Sequence, residues 1–402
     1  MTPVELNLKY QALFSSNSRY FVVTGGRGSG KSFAITIFLV LLTYEENNKV
    51  LFTRYTMSSA GMSIIPEFIE KLEILGVLDQ FTITKTEIIN KQTGSSIYFS
   101  GIKTASGDQT AKLKSINGIN TFVIDEAEEL NDEESFDKID YSIRAKGVKN
   151  RCILILNPTT KEHWVYQRFF QNRKINDGFN GTKEGVTYIH TTYRDNIDHL
   201  SDSFVNQVEE MKRRRPEKFK HQIMGGWMER AEGVIFTDWQ RGPFNDEPEF
   251  QCWGLDFGFS GDETALVKVS VDKESKRIWI KEYLYKKHLV TSAIYNHCIR
   301  HCGQELIVCD IEPRLIVELS QKGLNLSPTV KKKGSVLTSI ALMQDYNITI
   351  EGENLVKEFN NYAWKINGLK PIDQFSHLID ASRYAISYML NRTVPKGMYI
   401  VR

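Results

Sequence analysis

Eight consecutive residues, Gly25-Gly26-Arg27-Gly28-Ser29-Gly30-Lys31-Ser32, carry the spacing G-x-x-x-x-G-K-S. The chemistry such a loop serves is the holding of a polyphosphate. Glycines let the backbone wrap so that the N–H groups of Gly25 to Gly30, Ser29 included, face phosphate oxygens. Lys31 then reaches the β and γ oxygens, and Ser32 ligates Mg²⁺. A second acid must sit on another strand, and Thr121-Phe122-Val123-Ile124-Asp125-Glu126 supplies it. Asp125 holds Mg²⁺ through water, and Glu126 polarises the attacking water. Consecutive Asp-Glu points to ATP hydrolysis rather than to a kinase or a small GTPase. Asn157, at the end of the next apolar run, emerges beside the γ-phosphate to sense hydrolysis. Charge developing on the transferred phosphoryl group requires a cation. Arg27 is placed to supply it within the loop, while Arg54 and Arg144 are two candidates for a neighbouring subunit's site between which the sequence does not choose.

A second constellation lies in the other half of the chain. Asp256 ends the run CWGLDFG, Asp310 ends ELIVCD, and Asp380 lies in the helical stretch FSHLIDASRYAI. Strand-end aspartates bring like charges to one sheet edge, where they repel unless cations bridge them. Two Mg²⁺ or Mn²⁺ ions held there activate water and neutralise the leaving oxygen of a phosphodiester. His377, one helical turn before Asp380, either assists or only hydrogen-bonds. Asp262 and Glu312 are open as further ligands or as solvated turn residues. Asp256-Phe257-Gly258 mimics a kinase triplet, but no matching catalytic loop precedes it. His297, Cys298, His301 and Cys302 lack the second ligand pair that a zinc finger requires.

The elements that must position these residues can be read coarsely. Residues 20–24, 50–53, 96–99, 121–124 and 152–156 are short β-branched or aromatic runs separated by segments long enough for crossovers, which predicts a mainly parallel, doubly covered α/β sheet. A charged helix over 201–224 follows, then glycines that place a domain boundary within about 225–242. The second half opens with three antiparallel strands over 252–257, 264–271 and 277–285, continues with a helix over 292–302 and a strand over 305–309, and closes with a helix over about 375–390. The 402 residues suit two domains, and 51 Lys+Arg against 49 Asp+Glu leave a net charge of only +2. Contact with nucleic acid therefore falls to local patches, Lys331 to Lys333 first and Lys212 to Arg215 second. Five scattered cysteines suit a reducing cytosol, Met1 to Ser16 lacks the apolar core of a signal peptide, and the run 33–42 is too short for a membrane span.

The order of P-loop, Asp-Glu, Asn-Pro, Gly226-Trp227, DFGFSGDETALV, Asp310 and His377-x-x-Asp380-x-x-Arg383-Tyr384, with Thr192-Tyr193-Arg194-Asp195-Asn196 between, resembles the large terminase subunit of tailed phages, most like its PBSX-type branch. The resemblance implies an additional-strand (ASCE) P-loop ATPase domain over 1–228 with a helical linker subdomain near 195–228. A connecting segment over 229–245 and an RNase H-like α/β nuclease domain over 246–402 follow. It also implies ATP with Mg²⁺ in the motor and two Mg²⁺ or Mn²⁺ ions in the nuclease. Carried over by position, Gln11 contacts adenine, Arg27 is the P-loop arginine, Asn157 couples hydrolysis to movement, and Asp256, Asp310 and Asp380 form the nuclease triad. The implied partners are double-stranded DNA, the procapsid portal protein, the small terminase subunit and further copies in a ring, expected as a pentamer when packaging and a monomer in isolation. The implied place is the host cytoplasm, docked transiently on the procapsid, absent from the mature virion and away from membranes. An ATP-dependent repair nuclease or helicase–nuclease is the alternative; it calls for a second motor lobe that the stretch after Asn157 has little room for. A nucleotide-switched scaffold without catalysis is a third class, but it has no use for Glu126 or the three aspartates.

Overall fold

The computed structural model describes residues 2–391 apart from 57–59, 105–106, 109–117, 132, 259–261, 332–333, 366–367 and 369. Lys332 and Lys333 of the expected basic patch, and 259–261 of the glycine-rich stretch after Asp256, thus lie outside the described residues. The chain divides into two compact units, Met1–Glu229 and Arg230–Arg402, each with its own sheet.

The first unit is built on β1 (Tyr20–Gly25), α1 (Lys31–Leu42), β2 (Lys49–Thr56), β3 (Ser96–Thr104), β4 (Thr121–Ile124), β5 (Arg151–Leu156), β6 (Val186–Thr191), α2 (Asp202–Arg214) and α3 (Pro216–Gln222). Six strands run parallel in the order β3-β2-β4-β5-β1-β6. Every residue of β4 and β5 is buried, which is why both read as unbroken apolar runs rather than alternating ones. Phe21 and Val23 pack with α1 on one face, and Val22 packs with Phe136, Trp164 and Phe169 on the other. The sheet exceeds the expectation by β6, by the antiparallel hairpin Phe81–Ile83 and Glu87–Asn90, and by the short antiparallel strands Gly107–Asp108 beside β3 and Gly181–Lys183 beside β6. The expected single helix over 201–224 is two helices. Pro216 bars the residue before it from the helical region, and Arg215 accordingly sits at φ −141°, ψ 67°, with proline opening α3.

The second unit comprises β7 (Phe250–Asp256), β8 (Glu263–Asp272), β9 (Arg277–Lys287), α4 (Thr291–Cys302), β10 (Ile307–Cys309), β11 (Leu326–Pro328), β12 (Asn347–Glu351), α5 (Glu353–Asn361) and α6 (His377–Asn391). β7, β8 and β9 form the expected antiparallel meander, and the Asp272 carboxylate closes its second turn by accepting the Glu274 and Ser275 N–H groups. β10 joins β7 in parallel, β11 joins β10, and β12 joins β9. Within 229–245, the stretch read as a connector, Trp239–Arg241 pairs with β12 as an edge strand. Cys298 and Cys302 turn into the core beside Trp253 and Ile307, consistent with packing rather than metal binding. Among the described residues, no helix is long and apolar enough to cross a membrane.

One contact sets the depth of α6 on this sheet. Gly254 lies in β7 where a Cβ would run into the Ala381 carbonyl, so only glycine lets the helix settle there. Overpacking of this kind costs ~1–3 kcal/mol. Gly254→Ala should therefore lower the thermal unfolding midpoint of the second unit and depress any activity of Asp256 and Asp380, which flank the contact. An unchanged midpoint would show that α6 does not depend on this approach.

Candidate active sites

In the first unit the loop after β1 rises into α1 with Gly28 and Gly30 at φ 76° and 77°, backbone that glycine adopts without strain. It frames a hollow of about 200 Å³ lined by Gly26, Gly28, Ser29, Gly30, Lys31 and Ser32. The Lys31 ammonium donates to the carbonyls of Gly25 (2.8 Å) and Gly26 (3.0 Å), to Ser29 Oγ (3.3 Å) and to Asn157 Oδ1 (2.9 Å). Burial pulls Lys31 down to about 8, against the opposing charges of Glu128 and Asp125. Backbone N–H groups, a lysine at the mouth and an exposed Ser32 are a donor set that fits a phosphate chain with Mg²⁺.

The loop is locked from behind by backbone alone. Arg27 N–H donates to the Gln222 carbonyl at 2.8 Å, a Cβ on Gly26 would run into the Ile223 carbonyl, and one on Gly225 would fall 2.6 Å from Gly25 Cα. The Thr192 to Asn196 stretch closes the other side, where Asn196 Nδ2 donates to the Gly28 carbonyl at 3.0 Å. A larger hollow of about 660 Å³ adjoins, lined by Asn7, Tyr10, Phe33, Asp195, Asn196 and His199 among others. Gln11, assigned to adenine by the resemblance, is exposed and does not line it; its neighbour Tyr10 does, with its hydroxyl donating to the Ser29 carbonyl at 3.3 Å.

Asp125 is buried just past β4, and Arg54 donates to its Oδ2 from Nε (2.8 Å) and Nη2 (2.6 Å). Arg54 is thus engaged within its own unit, whereas Arg144 is exposed in a loop and Arg27 faces solvent. Glu126 takes φ 55°, and its half-exposed carboxylate stands 3.8 Å from Arg54 Nε. Asn157 meets a residue that sequence reasoning missed: its Nδ2 donates to Glu128 Oε1 at 3.1 Å, completing a chain Lys31–Asn157–Glu128. Burial pushes Glu128 up to about 7.

In the second unit the three aspartates converge. Asp256 ends β7, Asp310 follows β10 with its N–H on the Leu255 carbonyl at 3.1 Å, and Asp380 sits in the first turn of α6. Burial first, and then the charges of Asp256, Asp380 and Asp310, push the Tyr384 phenol up, and its hydroxyl donates to Asp256 Oδ1 at 3.2 Å. Each acid has its own counter-group. His377 Nδ1 is 2.9 Å from Asp256 Oδ2, Lys331 Nζ is 2.5 Å from Asp310 Oδ1, and Arg383 pairs with Asp380. Among the described residues no three His, Cys, Asp or Glu side chains form a ready-made metal cage. The hard oxygen donors nonetheless match Mg²⁺ or Mn²⁺. Asp262 is exposed ahead of β8, and Glu312 is half-buried at the head of the helix Pro313–Gln321. Glu263 was not foreseen; its carboxylate is 3.6 Å from His377 Nε2.

The sequence comparisons match this division. The family described as "Phage terminase large subunit" covers residues 17–226, and the "Terminase RNAseH like domain" covers 256–388. The chain belongs to the phage terminase large-subunit family. It is similar to the terminase large subunit of Bacillus phage SPP1, 28% identical across 94% of this chain and 92% of that protein. The PBSX phage terminase large subunit of Bacillus subtilis (strain 168) is 25% identical across 93% and 91%. The solved large terminase of a thermophilic bacteriophage, 17% identical, aligns over 96% of this chain and 100% of that one with a TM-score of 0.47. As a large terminase the chain carries an ATPase unit and an RNase H-like nuclease unit, and its function lies in phage DNA packaging and cutting; the repair-nuclease and helicase alternative is set aside.

The acid cluster gives this terminase a pH signature without metal. Burial opposes a charged His377, but the hydrogen bond and charge of Asp256, with Glu358 and Glu263 nearby, raise it from 6.5 to about 9. Burial, together with Asp256, raises Asp380 from 3.8 to about 6 despite Arg383. Both folded values exceed the unfolded ones, so both contributions are complete at low pH and disappear as pH rises, Asp380's by about 6 and His377's through about 9. Thermal unfolding of metal-free protein should show the second unit losing stability from pH 6.5 to 9, and His377→Gln should flatten that slope. Equal slopes in the two proteins would remove the charge pair.

Proposed function

We propose that the two sites divide the terminase's work as follows. Lys31, the N–H groups of Gly25 to Gly30 and Ser32 grip the phosphates of ATP with its Mg²⁺, Asp125 holds that ion through water, Arg27 steadies developing charge, and Glu126 orients the water that attacks the γ-phosphorus. Asn157, bonded to both Lys31 and Glu128, is placed to pass on the loss of the γ-phosphate. In the second unit Asp256, Asp310 and Asp380 hold two Mg²⁺ or Mn²⁺ ions, which when bound lower the pKa of water and neutralise the leaving oxygen of the DNA strand. Lys331, His377 and Arg383 release the carboxylates to that task. The observation that carries this reading is the convergence of Asp256, Asp310 and Asp380, each paired with its own basic side chain and Asp256 also with Tyr384, which an ATPase alone has no use for.

The partners that fit are double-stranded DNA, a portal protein on the procapsid, a small terminase subunit and further copies of the chain in a ring, acting in the host cytoplasm. The domain limits that go with this reading are 1–228 for the motor, 229–245 for the connection and 246–402 for the nuclease.

Purified protein should cut plasmid DNA with Mn²⁺ and hydrolyse ATP with Mg²⁺. Glu126→Gln should lower ATP turnover by ~10²-fold or more while nucleotide binding stays near wild type, and Lys31→Ala should lose binding as well. Asp310→Ala should abolish cleavage and leave ATP turnover intact. Wild-type cleavage by Asp310→Ala would sink the acid triad, and wild-type turnover by Glu126→Gln would sink the assignment of the water-orienting glutamate.

A further inference from the structure

The nuclease acids sit on separate elements, two at strand ends and one in the first turn of α6, so their mutual placement depends on what holds that turn. The first amides of a helix have no partner inside it. Ser376, just ahead of α6, turns its hydroxyl back to donate to the Asp373 carbonyl at 3.3 Å. The partner comes from another helix. Glu358 on α5 is 0% exposed, and its Oε2 accepts the Ile379 N–H at 2.9 Å. Burial pushes this carboxyl up to about 8, and the amides of Ile379 and Leu378 oppose that rise. The carboxyl cannot drift, because Leu355 and Phe359, its neighbours on α5, are fully buried in the core that also takes Leu378 and Ile379.

Burying a carboxyl is costly unless it is hydrogen-bonded, and an apolar side chain would fill this space at lower cost. What the carboxyl does here is fix two amides immediately before Asp380 and immediately after His377. We propose that Glu358 is a positioning residue of the nuclease: by capping α6 from the side it sets the height at which His377 and Asp380 meet Asp256. The proposal rests on the reading of Asp256, Asp310 and Asp380 as the metal-holding acids. It differs from a role in stability alone, because loosening the first turn displaces one ligand of a shared site while the sheet that carries the other two stays in place.

The test compares Glu358→Gln, which keeps an acceptor oxygen, with Glu358→Met, which keeps bulk but no acceptor, in the full-length chain. Three quantities are read: amide hydrogen exchange at 378–380 in metal-free protein, Mn²⁺ affinity by calorimetry, and kcat and KM for plasmid cleavage. Glu358→Met should exchange ~10-fold faster at those amides, bind Mn²⁺ ~10-fold more weakly and lose kcat with KM for DNA unchanged, as loss of a ligand-orienting group does. Glu358→Gln should stay within ~3-fold of wild type throughout. Wild-type exchange in Glu358→Met, or equal damage in the two variants, would overturn the proposal. Should Glu358→Met not fold, Glu358→Asp takes its place: shorter by one methylene, it should exchange faster at 378–380, and unchanged exchange overturns the cap. A wild-type protein without Mn²⁺-dependent cleavage fails at the underlying nuclease reading, an outcome visible before any variant is made.

Discussion

Asp256, Asp310 and Asp380 repel one another, and the second unit is arranged around the groups that let them stay together. His377, Lys331 and Arg383 each hold one carboxylate, and Tyr384 donates a neutral hydrogen bond into the middle. Opposite charges at this range favour the ionised acids, whereas burial and mutual repulsion favour the protonated ones; Asp256 and Asp380 are raised, so burial and crowding win at both. The carboxylates are thus held together by protein cations at positions where divalent ions would do the same work with more charge. The meander β7–β8–β9 supplies one acid and Glu263, the parallel strand β10 supplies the second, and α6 the third, which is why a mixed sheet rather than an all-parallel one suits this half.

The first unit solves the inverse problem. A polyphosphate needs a concentration of positive charge, and the loop after β1 provides it through backbone N–H groups and one ammonium. Lys31 keeps that place because four oxygen acceptors surround it, two of them carbonyls of the loop itself. Their geometry follows from the glycines, whose positive φ values turn the peptide units. Asp125 pairs with Arg54 at a neighbouring strand end, so the acidic half of the site also arrives already neutralised.

Features carried by adjacent residues were legible in the sequence. The loop spacing, the Asp-Glu pair after a buried strand, and the strand-end aspartates all depend on local order, and the five parallel strands and the meander followed from apolar runs. Features that depend on packing were not legible. Glu128 meets Asn157 across 29 residues, Lys331 meets Asp310 across a strand and a helix, and Glu358 meets Ile379 across 21 residues. None leaves a mark on its own segment. Tyr10 rather than Gln11 faces the hollow beside the loop because the turn of the chain there, not the order of residues, decides which side chain points inward. The break at Arg215 had a local cause in Pro216, but the charged periodicity on both sides masked it. β6 escaped because its polar residues, Thr187, His190 and Thr191, dilute the apolar signal.

Gly25, Gly26, Ile223 and Gly225 touch backbone to backbone, with no side chain between them to bend or rotate. Side chains act as springs, and a contact without them is stiffer. A movement of the phosphate-gripping loop at Gly26 therefore meets the backbone of Ile223 directly, close to where the chain leaves its first unit.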